Sequence, residues 1–132
     1  SAMKHPFVEF LVERDLIPPN VARQLAEHKR FVREPIGMIA VSHGLLRTDQ
    51  IDIILDRQRE EPDRRFGEIA VELNCLTEQQ VSALVKIQEF RVPADITEAL
   101  ALGGVLSVED ATRYLGTFLV SDQEMAAMMA DA

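Results

Sequence analysis

Gly37, Gln58, Gly67 and Gln88, with Arg64 and Arg65 beside the second glycine, are the residues of this chain whose types and spacing could do chemistry. The two glycines stand thirty positions apart, and so do the two glutamines, so the set is one pattern written twice. A glycine near the start of a short helix lets another group approach the backbone, and a guanidinium can grip an anionic oxygen with paired N–H donors. Each glutamine falls on an otherwise apolar helical stripe, where a buried amide must find partners, either in a ligand or at the end of a neighbouring helix. Two outcomes follow: recognition of a small anionic molecule, or close packing of two similar helix pairs in which the glycines make room and the arginines are solvated.

Covalent chemistry finds less support. His5, His28 and His43 are dispersed with no second ligand at metal spacing, and Cys75 sits alone at an interior-looking turn. No serine or cysteine lies in a nucleophile motif, and there is no phosphate loop. The acidic pairs Glu60-Glu61 and Glu109-Asp110 fall on expected turns or caps. The expectation is a protein that is not an enzyme and needs no metal or cofactor.

Two consecutive stretches must position these residues. Pro35 to Gln58 reads PIGMIAVSHGLLRTDQIDIILDRQ, and Arg65 to Gln88 reads RFGEIAVELNCLTEQQVSALVKIQ, aligned without a gap. Ala40-Val41 matches Ala70-Val71, Leu46 matches Leu76, Ile51 matches Val81 and Leu55 matches Val85. The same register reaches weaker copies on either side, through Leu11, Leu16, Val21, Leu25 and His28, and through Ala101, Leu106, Ala111, Leu115 and Phe118. A fixed period of this size marks a supersecondary unit that buries its apolar face only by stacking on its neighbours. The fold predicted is all-α: four degenerate units at 5–34, 35–64, 65–94 and 95–124, packed as one compact domain over 4–124. Ser1-Ala2-Met3 reads as an expression scar, and 125–132 as a tail or linker.

Each unit is expected to run short helix, tight turn, longer helix. Phe7, Phe10 and Leu11 mark the first short helix, and Pro18-Pro19 opens the helix after it. In the second unit Ile36, Ile39 and Ala40 lead to a stop at Gly44, and Thr48 or Asp49 caps a helix carrying Ile51, Ile54 and Leu55. Residues 57–64 read as a polar, proline-broken connector. In the third unit Phe66, Ile69, Ala70 and Leu73 precede a capping-box spacing at Thr77 and Gln80, so the second and third units are not predicted to start their long helices in the same register. Val92-Pro93 is expected to break the next helix, with a short one at Ile96, Ala99 and Leu100, a turn at Gly103-Gly104, and a last helix capped by Ser107 and Asp110. Phe118 at the glutamine position points to packing rather than recognition in that copy.

Composition bounds the function. An apolar fraction of 47% with 27% charged residues is that of a folded globular domain, and no apolar run is long enough to span a bilayer. The single cysteine fits a cytoplasmic setting. The net charge is −8, of which −5 falls on residues 95–124. Thirteen of the 14 basic residues precede Arg113, so an anionic ligand belongs among the first three units. No basic stripe suits a DNA duplex or a membrane surface.

The order Arg, apolar residue, Gly, apolar pair, turn, polar cap, and a leucine-rich helix ending in Gln resembles the motif of the N-terminal domain of type II secretion and type IV pilus assembly ATPases, the MshE N-terminal domain family. Residues 65–88 match it well, and 35–58 match except that Pro35 stands where the motif has arginine; Arg33 or Arg64 can substitute from a neighbouring position. The resemblance implies a regulatory or docking module that binds cyclic di-GMP between the second and third units. Arg64 and Arg65 would sit on phosphate, Gly37 and Gly67 would allow approach, and Leu55, Gln58, Phe66 and Gln88 would line the site. Its alternative is a module that keeps the fold, binds no nucleotide, and docks a protein partner in a secretion, pilus or signalling assembly.

Overall fold

A computed structural model describes residues 5–27, 31 and 33–130, with side chains to 122, and His28 lies outside them. The described residues form helices and no strands: α1 Pro6–Glu13, α2 Pro19–Ala26, α3 Ile36–Ser42, α4 Thr48–Glu60, α5 Phe66–Glu72, α6 Glu78–Leu102 and α7 Val108–Ala130. The chain divides into two compact units, a central one over Arg33–Glu89 and a second made from Ser1–Val32 with Phe90–Ala132.

In the central unit, burial repeats in register. Ile39, Ala40, Leu46 and Ile54 from α3 and α4 share one core with Ile69, Ala70, Leu76 and Leu84 from α5 and α6. Each residue of the first set is thirty positions from its counterpart in the second. Gly37 and Gly67 are buried where no side chain fits easily. A Cβ on Gly37 would stand 2.9 Å from Ile51 Cδ1 and 2.9 Å from Phe66 Cζ, and one on Gly67 would stand 2.6 Å from Val81 Cγ1. Each glycine thus lets its short helix close on the long helix that follows it.

The turns after the short helices also recur. Leu45 and Cys75 each donate a backbone hydrogen bond of 2.8 Å to the carbonyls of Ala40 and Ala70, across Gly44 (φ 72°) and Asn74 (φ 60°) in the left-handed region. That geometry closes a helix by satisfying its last carbonyls. The long helices start in step as well, with Arg47 and Thr77 at the residue before α4 and α6. The expected cap at Thr48 or Asp49 moves to Arg47 because the Gln50 side-chain oxygen accepts from the Arg47 amide at 2.9 Å. The predicted capping box is present: Thr77 Oγ1 accepts from the Gln80 amide, and Gln80 Oε1 from the Thr77 amide. The connector is shorter than expected, since α4 runs on to Glu60.

The other unit buries Phe7, Val8, Phe10 and Leu11 of α1 with Ile17, Ala22, Val92, Ile96, Leu100 and Phe118. Phe118 packs its ring 5.0 Å from Phe7 and 5.5 Å from Phe10, the packing role its position suggested. Here the sequence expectation at Val92-Pro93 is overturned. Pro93 lies inside a continuous α6 and is fully buried. Proline costs the helix one backbone donor. Val92, Ile96 and Leu100 keep one buried face across it, and Thr97 Oγ1 donates to the Pro93 carbonyl at 2.9 Å. Likewise α7 extends to Ala130, through much of the segment read as a tail or linker.

Candidate functional site

The two glutamines make the same bond in opposite directions. Gln58, near the end of α4, donates from Nε2 to the Arg64 carbonyl at 3.1 Å, just before α5. Gln88, on α6, donates from Nε2 to the Glu34 carbonyl at 2.9 Å, just before α3. Each long helix thereby holds the chain leading into the other pair's short helix. This is the neighbouring-helix bond that a polar residue on an apolar stripe requires. The contact is reciprocal at the glycines too, with Phe66 against Gly37 and Ile36 Cδ1 3.6 Å from a Cβ on Gly67.

Three cavities surround this arrangement. The first, about 490 Å³, is lined by Pro35, Ile36, Gly37, Met38, Ile51, Leu55, Gln58, Phe66 and Gln88. Its walls are apolar apart from the two amides, and its size falls in the usual range for small-molecule sites of about 300 to 1,000 Å³. Beside it, a bay of about 220 Å³ shares Leu55 and Gln58 and adds Arg59 and Pro62. The third, about 460 Å³, lies around Gly67 and is lined by Arg64, Glu68, Val71, Glu78, Val81 and Ser82.

Five of the sequence-predicted site residues therefore converge on one groove: Gly37, Leu55, Gln58, Phe66 and Gln88. The other three do not line it. Gly67 and Arg64 belong to the Gly67 cavity, and Arg65 is the exposed residue before α5, lining none of the three. Arg64 is surrounded by carboxylates. Its Nη1 lies 2.5 Å from Glu72 Oε2 and 3.6 Å from Glu61 Oε2, and its Nε lies 4.0 Å from Glu68. The hydrogen bond from Arg64, and then its charge, hold the Glu72 carboxyl below the usual range. An anion at Arg64 would have to displace these groups.

The sequence offers Arg33 only as a stand-in, and the structure gives it a place. Its Nη2 donates to Gln88 Oε1 at 2.6 Å, one hydrogen bond from the groove wall. It makes no ion pair with a carboxylate among the described residues. Two features lie outside the sequence expectation, the left-handed turn at Asn74 and the approach of Ile36 to Gly67. Asparagine's tolerance of the left-handed region was the available signal for the first; the second needed the fold.

Among the described residues no cluster of histidine, cysteine and carboxylate side chains could hold a metal, and no helix is long and apolar enough to cross a membrane. No family model matches the chain, and neither a curated protein nor a solved structure does.

Proposed function

We propose that the chain is a non-catalytic regulatory module whose central unit binds cyclic di-GMP in the groove beside Gly37. The observation that carries this reading is the convergence of Gly37, Leu55, Gln58, Phe66 and Gln88 on one cavity of about 490 Å³, formed by both copies of the repeated motif. Apolar walls suit the faces of purine bases, and Phe66 adds an aromatic surface for stacking. The glutamine amides supply the polar edge that fixes orientation. We read the whole chain as four degenerate copies of one helical unit, supported by left-handed residues at Gly44, Asn74 and Gly104, thirty positions apart, and at Asp15, one position out of that register, each just past the end of a helix.

Calorimetric titration of cyclic di-GMP into the protein tests the proposal, with Met38→Glu as control. Met38 lines the groove yet is 52% exposed, so the substitution adds a repelling charge without removing core. Micromolar or tighter binding, weakened about tenfold or more by Met38→Glu, is the expected result. Heat that is unchanged in Met38→Glu would place the ligand elsewhere, and no heat in the folded protein would end the nucleotide reading.

Two observations favour a second reading, in which the module docks a protein partner and has lost the ligand. The arginine beside the second motif is neutralised by glutamates, and the charge of −5 on 95–124 offers an acidic surface to a basic partner. Failure of the titration followed by salt-sensitive capture of a basic protein of the assembly would support it.

A further inference from the structure

We infer that Arg33 supplies the anion-binding charge of the Gly37 groove, in place of the arginine that position 35 lacks. The inference rests on the nucleotide reading above and names the residue that would meet a phosphate there.

Arg47 and Arg57 within the first motif are paired with carboxylates, and the surroundings of Arg33, Arg59, Arg64 and Arg65, which flank the motifs, separate them. Arg64 is held by Glu61, Glu68 and Glu72 and lines a different cavity. Arg59 is bound to Asp56, one helical turn away on the same face. Arg65 sits exposed before α5 and reaches none of the cavities. Of these, Arg33 is the one whose guanidinium bonds a groove-lining side chain, through Nη2 and Gln88 Oε1 at 2.6 Å; Arg64 meets Gln58 only through its backbone carbonyl.

That bond also orients it. Gln88 is fixed at its other end by the Glu34 carbonyl at 2.9 Å, so its oxygen is presented in one direction and not free to rotate. A guanidinium carries five N–H donors in a planar fork, and this bond uses one. The remaining donors can grip a phosphate oxygen pair while Gln88 keeps its hold. Gln88 is then a positioning residue for Arg33. The register makes the feature specific to this half of the molecule: thirty positions on from Arg33 stands Asp63, whose charge would repel an anion beside Gln58.

Calorimetry of cyclic di-GMP against wild type, Arg33→Ala, Arg33→Lys and Arg65→Ala, at two salt concentrations, tests this. Arg33→Ala should bind about tenfold or more weakly, since a charge-assisted bond is lost, and its affinity should fall less steeply with salt than that of wild type. Arg33→Lys should recover part of the loss, and Arg65→Ala should bind within about twofold of wild type. Arg33 is exposed, so Arg33→Ala should still fold and melt in one cooperative transition, at most slightly below wild type for the lost bond to Gln88, separating loss of a contact from loss of fold. Wild-type affinity in Arg33→Ala, with wild type binding, would overturn the role of Arg33 and leave the groove assignment standing. Absence of binding in wild type would overturn both.

Discussion

The two motifs of the central unit share a skeleton and differ in what they present. Around Gly37 the walls are Ile36, Met38, Ile51, Leu55 and Phe66, and Arg33, bonded to Gln88 at its edge, has no carboxylate partner among the described residues. Around Gly67, Glu68 stands at the register of Met38, and Glu78 and an Arg64 already paired with three glutamates join it in the lining. Positions that pack have been held alike, while exposed positions at the same register have diverged. A site can therefore exist in one copy of a repeat and be closed by charge in the other. Burial supports this division, since α4 and the first part of α6 show the same pattern of buried, half-buried and exposed residues through all thirteen positions of α4.

If the cores are equivalent, Ile39→Ala and Ile69→Ala should each destabilise the protein by about 2 to 5 kcal/mol, and by amounts close to one another. Both isoleucines are fully buried. Chemical denaturation would show it, and a gap of more than about 2 kcal/mol between them would break the equivalence.

The glycines should separate the halves. A Cβ at Gly67 meets Val81 Cγ1 at 2.6 Å, on a stiff β-branched side chain, whereas at Gly37 it meets the tips of Ile51 and Phe66 at 2.9 Å. Gly67→Ala should cost about 1 to 3 kcal/mol by overpacking, and Gly37→Ala should cost less, because a tip can swing aside. The reverse order in thermal melts would mean that the α3 side is the tighter.

Gln88→Ala should destabilise more than Gln58→Ala, by about 1 kcal/mol, because Gln88 gives up bonds to both Glu34 and Arg33 while Gln58 gives up one to Arg64. Equal losses would remove the asymmetry that the Arg33 contact introduces.

The smallest effect concerns pH. The folded Glu72 carboxyl lies below its ordinary value, first through the hydrogen bond from Arg64, so it releases its proton more readily folded than unfolded. Its contribution to stability is present above the unfolded value of 4.5 and fades as pH falls through the lower folded value. Glu72→Gln should lower stability slightly near neutrality, where that contribution is present, and weaken the fall in stability through the acid range; NMR titration of the Glu72 carboxyl would show the depressed midpoint directly.

Much of this was legible in the sequence. The all-α class, the capping box at Thr77, the proline start of α2 and the packing role of Phe118 all follow from local chemistry that the fold leaves intact. The glutamines were readable as polar residues on an apolar stripe, though not as a reciprocal pair. Pro93 misled because a helix break is a local preference, and the buried face of Val92, Ile96 and Leu100 outweighs it. Arg64 misled because motif spacing places an arginine near a glycine but says nothing of Glu61, Glu68 and Glu72 around it. Arg33 lay two residues before the first motif, and only the fold could bring it to Gln88.

The most direct test of the central claim is an amide NMR titration of the protein with cyclic di-GMP. Shifts concentrated at Ile36 to Met38, Ile51, Leu55, Gln58, Phe66 and Gln88, with Glu68, Val71 and Ser82 unmoved, are expected if the Gly37 groove holds the nucleotide. Shifts centred on Arg64, Glu68 and Val71, or none at saturating ligand, would contradict it.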